Sequence, residues 1–138
     1  MNKVKVDWIR DRIMVGSDSN GESIVIGFTK DDNPKRKGVK PLELLLLSLA
    51  SCTCYDVIEI MEKQREPLDN LQVVCEGEQN EEWPHIFKSI HVHYFATGNV
   101  NPYKLERAIY LSETKYCSVI TTLKQSVEIV TEYTILGD

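Results

Sequence analysis

Apolar and polar positions alternate in short runs through the first thirty residues. In VKVDWI, Val4, Val6 and Trp8 fall on one face; RIMVGS and SIVIGF repeat the pattern, with Gly and Ser turns between. A period of two punctuated by turn residues predicts three short strands. The polar stretch TKDDNPKRKGVKP, broken by Pro34, Gly38 and Pro41, predicts a loop. From Pro41 the pattern changes. PLELLLLSLASCTCYDVIEIM is apolar on nearly every face, and Glu59, Glu62, Lys63 and Arg65 bring charge only into its later turns. Proline suits a first turn, where its missing N–H costs nothing, so a helix is expected from Pro41 to about Arg65, closed by Pro67.

Two longer strands follow, LDNLQVVCEGEQ and IFKSIHVHYFATG, joined by a hairpin loop NEEWPH. In the second, Ile90, Val92 and Tyr94 share one face, and Ser89, His91, His93 and Phe95 the other. Beyond Gly98 and Pro102, Leu105, Ala108, Ile109 and Ser112 line one stripe of an amphipathic helix, with Glu106 and Arg107 facing away. The helical pattern breaks near Tyr116 and resumes in CSVITTLKQS, and the chain closes on a strand, VEIVTEYTI. The order predicts one α+β domain over residues 1–138. A helix apolar on all sides needs cover on all sides, and one sheet with one further helix leaves part of it bare, so a homodimer packed around it is expected.

Composition narrows the function. With 138 residues, 42% hydrophobic and 27% charged, the chain can bury a core without staples. A net charge of -5 gives no electrostatic reason to expect nucleic acid or an anionic membrane as partner. The opening residues lack the apolar core of a secretory signal, and the run Leu44 to Ala50 is too short to span a bilayer, so a cytoplasmic location is expected. In that compartment four cysteines are reduced, reactive or metal-binding sooner than a disulfide framework.

Cys75 shares a strand face with Leu71 and Val73 and is expected to pack in the core. Cys52 and Cys54, two apart on a helix, point to nearly opposite sides, so they neither bridge each other nor make a good metal pair. Cys117 stands in TKYCSV, where one helical pattern ends and another begins; a helix N-terminus there would favour thiolate. Any one of these thiols read alone, Cys52 included, is more often core packing than chemistry.

From Pro41 onward the chain resembles the family of osmotically inducible protein C and the organic hydroperoxide resistance proteins (OsmC/Ohr), its small YhfA-like branch above all. The blocks that carry the resemblance are GVKPLELLLLSLASCTCYDVIEIM, WPHIFKSIHVHYFATG and LERAIYLSETKYCSV, and the two family cysteines fall on Cys52 and Cys117. The resemblance implies an OsmC-like fold, with antiparallel sheets packed around the long central helix in an intertwined homodimer. It further implies thiol-dependent reduction of organic hydroperoxides without metal, haem or other cofactor. Cys52 would be the peroxidatic thiolate, passing through a sulfenic acid, and Cys117 the resolving thiol that closes a Cys52–Cys117 disulfide. A dithiol reductant, lipoyl-type or a small thiol, would restore both.

An apolar helix opposes thiolate formation, and a carboxylate one turn on, at Asp56, opposes it further, so a cation is required. In the family's peroxidase branches it is an arginine from the N-terminal strands, held by a glutamate directly after the proline. Here Arg12, with Arg10 beside it, stands about where that arginine belongs. Leu42 occupies the glutamate's place, and Glu43 follows one step, about 100°, further round. His91 and His93 share a strand face, but the sequence puts no carboxylate or third histidine beside them, so surface or interface positions are expected rather than a metal site. KDDNPKRKG reads as a solvated loop, or as a flexible lid ahead of the cysteine helix. Two other function classes fit the pattern: a non-catalytic protein binding a small hydrophobic ligand, and a thiol redox sensor.

Overall fold

The computed structural model describes residues 1–27 and 38–137. Most of the loop or lid read in KDDNPKRKG lies outside the described residues. The chain divides into two compact units, Met1–Leu45 and Leu46–Asp138.

In the first unit β1 (Lys5–Arg10), β2 (Ile13–Ser17) and β3 (Ser23–Gly27) form an antiparallel meander. The three strands are those the alternation predicts. Asp11, at φ 48, turns the chain between β1 and β2, and its carbonyl accepts from the Trp8 indole N–H and the Arg12 guanidinium, each at 3.0 Å. Val39 rejoins the edge of β3, its N–H donating to the Val25 carbonyl at 3.1 Å, and so delivers the chain to Pro41.

The helix α1 (Pro41–Lys63) crosses from the first unit into the second and is 23 residues long. It ends on a Schellman turn. Arg65 takes the left-handed conformation (φ 57), its N–H bonds the Glu62 carbonyl at 2.9 Å, and the Glu66 N–H bonds the Met61 carbonyl at 3.0 Å. By length and mean hydropathy α1 could cross a membrane, a wider apolar span than Leu44 to Ala50 alone. Within the chain only 22% of that apolar span is buried. Leu49, Thr53, Val57 and Met61, spaced four apart, are buried on one face.

That face meets a second sheet, β4 (Asn70–Gln79), β5 (Phe87–Thr97) and β6 (Glu128–Leu136), in the order β4-β5-β6. Ile90, Val92, Tyr94 and Ala96 of β5 are fully buried. Their neighbours in register complete the inner surface: Cys75 and Thr131 flank Val92, and Val73 and Tyr133 flank Tyr94. Fully burying one such aliphatic side chain contributes about 1.5–3 kcal/mol. Gly98 ends β5 at φ 129, and a Cβ there would lie 2.3 Å from the Pro67 carbonyl oxygen, so only glycine fits.

The fold is α+β, with two three-stranded sheets and a long central helix. One expectation needs correction: the sheets are not both antiparallel, because β6 pairs parallel to β5. Parallel strands need a crossover, and here it is made by α2 (Pro102–Leu111), a π-helical turn (Ser112–Tyr116) and α3 (Ser118–Leu123). Leu105, Ala108, Ile109 and Ser112, the stripe read from the sequence, are all buried. The break expected near Tyr116 is where the π-turn ends.

Candidate active site

Cys52 lies on α1, half-buried against the core, and Asp56 lies one turn further on. Cys117 approaches from the crossover. The Cys117 N–H donates to the Ser112 carbonyl at 2.7 Å, five residues back, which is the bond that makes the turn π-helical. Cys117 is then extended (φ -79, ψ 104) and caps α3, its sulfur accepting from the Ile120 N–H at 3.4 Å. The outcome is a cluster: Cys52 Sγ, Cys117 Sγ and an Asp56 carboxylate oxygen all lie within 4.8 Å of one another. Two of its members are 65 residues apart.

Asp56 is held. The Oγ of Ser112, itself fully buried, donates to Asp56 Oδ2 at 2.9 Å. The π-turn is anchored through Glu113, whose Oε2 accepts from the Tyr94 hydroxyl at 2.7 Å and whose Oε1 accepts from Thr131 Oγ1 at 2.7 Å. Burial, with the Glu113 carboxylate beside it, pushes the Tyr94 phenol well above its ordinary value.

The two thiols are unequal. Cys117 is fully buried, and desolvation, followed by its hydrogen bond with Cys52, pushes its pKa up to about 12, with the Ile120 and Val119 N–H groups offsetting only part. The helix N-terminus expected to favour thiolate at Cys117 is real but outweighed, because α3 has six residues and the sulfur lies out of water. Cys117 is protonated at neutral pH.

Cys54 is half-buried, away from this cluster, its pKa raised by desolvation. Cys75 sits against the core as expected, and burial followed by the Glu113 charge pushes its pKa up to about 11. Arg12 is exposed in the β1–β2 turn, and Glu43 is exposed in the first turn of α1. Among the described residues no ion pair joins these two. Among those of the Leu46–Asp138 unit, no Lys, Arg or His makes an ion pair or hydrogen bond with Cys52, Asp56 or Cys117. His91 and His93 do have a carboxylate beside them, which the sequence did not place. His91 Nε2 and His93 Nδ1 lie 3.0 and 2.9 Å from Glu132 Oε1, because β6 runs alongside β5 on the outer face.

Beside the cluster lies a cleft of about 210 Å³, lined by Asp56, Glu59, Ile60, Lys63, Leu111 and Tyr116. Ser112, Glu113, Tyr94 and Thr131 went unassigned at the level of sequence. The one local signal was Ser112, a polar residue on an otherwise apolar helical stripe.

The model of the OsmC-like protein family matches residues 32–132. The chain belongs to the OsmC-like family. Among OsmC-like and related chains, it is 30% identical to Protein YhfA of Escherichia coli K12 over 136 residues, 98% of each chain. A hypothetical protein from Aquifex aeolicus VF5, known from a crystal structure, superposes with a TM-score of 0.88 at 30% identity, covering 100% of this chain and 98% of that one. An organic hydroperoxide resistance protein from Legionella pneumophila shares the OsmC-like fold at 14% identity, with a TM-score of 0.72 over 97% of this chain and 96% of that one.

Proposed function

We propose that this chain is a thiol-dependent peroxidase that reduces organic hydroperoxides in the cytoplasm. The observation that carries the reading is the approach of the Cys52 and Cys117 sulfurs to within 4.8 Å, one half-buried and the other held protonated. Family membership, and a relative in fold named for organic hydroperoxide resistance, support the substrate class.

Cys52, as thiolate, attacks the terminal oxygen of R–O–OH. The O–O bond breaks, the sulfur becomes a sulfenic acid, and the alkoxide takes a proton and leaves as alcohol. Cys117 then gives up its proton and attacks the Cys52 sulfur, displacing hydroxide, which leaves as water. Asp56 stands within the same cluster to take that proton and pass it to the departing hydroxide. The disulfide forms by closing the sulfurs to about 2.05 Å, a movement of side chains on a half-buried helix face. A dithiol reductant returns both thiols by exchange. The cleft beside Asp56, with Ile60, Leu111 and Tyr116 in its wall, suits the organic part of the substrate.

The thiolate requires a cation that the Leu46–Asp138 unit does not place beside it. Arg12, or Arg10 next to it, is the arginine proposed for that charge, with Glu43, which makes no ion pair with Arg12 among the described residues, proposed as its holder. The protein works as a homodimer: the α1 face opposite the core leaves Leu47, Tyr55 and Ile58 exposed by 50%, 64% and 40%. A second copy covers them.

Reduced protein mixed with cumene hydroperoxide should lose two thiols and gain a Cys52–Cys117 crosslink by mass spectrometry. Cys52→Ser should be unreactive, and Cys117→Ser should stop at sulfenic or higher oxides. Inert thiols in the wild type would sink the proposal. Sustained turnover with dihydrolipoamide marks an enzyme; a single oxidation without turnover marks a sensor. An Arg12→Ala variant that reacts as fast as wild type removes the arginine from the mechanism.

A further inference from the structure

We propose that Cys52, Asp56 and Cys117 form a binding site for a divalent cation of the zinc class, filled when both thiols are reduced. The inference goes beyond the peroxidase reading and uses the same sulfurs for different chemistry. Two sulfurs and a carboxylate oxygen within 4.8 Å of one another are three converging ligands. A tetrahedral zinc ion takes sulfur at about 2.3 Å and carboxylate oxygen at about 2.0–2.2 Å, so small side-chain rotations toward a common centre complete the site. Two thiolates select a borderline-soft ion over magnesium or calcium.

The supports around these ligands are those a metal site needs. Cys52 and Asp56 are four residues apart on one helix, so they present to one point. Ser112 Oγ holds the Asp56 carboxylate through Oδ2 at 2.9 Å, and the Ile120 N–H holds the Cys117 sulfur at 3.4 Å. Among the described residues of the Leu46–Asp138 unit no basic side chain forms an ion pair with Asp56 or a hydrogen bond with either sulfur. Three protein ligands leave a fourth position for water, on the side of the cleft that Asp56 lines. Binding displaces the thiol protons and occupies the sulfur lone pairs, so the metal and a hydroperoxide compete for the same atoms.

Cobalt(II) titrated anaerobically into the reduced protein is the test. One equivalent per chain should give sulfur-to-cobalt charge-transfer absorption and tetrahedral ligand-field bands, both displaced by zinc. Cys52→Ser and Cys117→Ser should each lose most of the charge-transfer intensity, Asp56→Asn should lose the tetrahedral bands, and Ser112→Ala should weaken binding by roughly tenfold. Cys54→Ser and Cys75→Ala should bind as wild type. Absence of these bands in the reduced wild type overturns the proposal whatever the variants do, as does their persistence in a folded Cys52→Ser/Cys117→Ser double variant. Zinc loading should slow thiol loss to cumene hydroperoxide. Cobalt binding by a chain inert to hydroperoxide upholds this inference and removes the peroxidase; turnover without cobalt binding does the reverse.

Discussion

Ser112 donates from its Oγ to Asp56 Oδ2 at 2.9 Å, across 56 residues of sequence, and so ties the helix of Cys52 to the turn that delivers Cys117. Ser112 is fully buried and Asp56 half-buried.

Replacing Ser112 by Ala should therefore act on chemistry more than on fold. Loss of the donor costs about 1–3 kcal/mol of stability, by leaving part of a half-buried carboxylate unpaired. Closure of the Cys52–Cys117 disulfide after oxidation should slow, while the first thiol loss proceeds near the wild-type rate. Stopped-flow thiol counting separates the two steps, and equal slowing of both would contradict the assignment.

Glu113 should behave as the anchor of the π-turn. Tyr94 is fully buried and its hydroxyl has Glu113 as acceptor at 2.7 Å, so Glu113→Ala leaves a buried donor unpartnered and should cost about 1–3 kcal/mol or more. Tyr94→Phe should cost less, since the buried donor itself is removed and Glu113 still accepts from Thr131. The double variant should be less destabilised than the two single effects summed, with a coupling near 1 kcal/mol or above in urea unfolding. Simple additivity would show that the two side chains do not act as a pair.

Stability should fall in alkali, and two buried thiols should account for part of the fall, beside the Tyr94 phenol, which is also raised. Cys75 titrates at about 11 and Cys117 at about 12 in the folded chain, both raised by burial from an ordinary 9.0. Between those values the folded state holds protons that the unfolded chain has released, so stability is complete below about pH 9 and declines as pH rises toward 11–12. The urea midpoint of wild type should drop across that window, and Cys75→Ala should drop less steeply. Parallel pH profiles for the two proteins would assign the loss elsewhere.

Arg65 holds a left-handed conformation at φ 57, a position that favours glycine. Arg65→Gly should raise stability by about 1 kcal/mol by relieving that backbone cost, and Arg65→Val should lower it by a similar amount or more. Thermal unfolding of the two variants against wild type checks both signs.

The elements were legible in the sequence because each was announced by a local period. Ile90, Val92 and Tyr94 alternate on the buried face of β5, and Leu105, Ala108, Ile109 and Ser112 recur at helical spacing on the buried face of α2 and its extension. The opposed directions of Cys52 and Cys54 followed from helix geometry alone, and Cys52 packs against the core while Cys54 stands apart from it. The pairing of Cys52 with Cys117 was legible only through family resemblance, since no local pattern joins residues so far apart.

Tertiary structure decided the rest. The parallel direction of β6, and with it the placing of Glu132 between His91 and His93, depends on where a crossover of three short helical pieces lands, which strand alternation cannot report. The π-turn adds one residue to the helical path before Cys117, and it is held by Tyr94 and Thr131 through Glu113, contacts of 19 and 18 residues' separation. The protonated state of Cys117 reverses what its place at a helix start implied, because burial acts on the charge itself while a six-residue helix offers little dipole against it. Periodicity along a chain records which face meets the core. Which side chains meet one another there is set by packing and hydrogen bonds between distant segments.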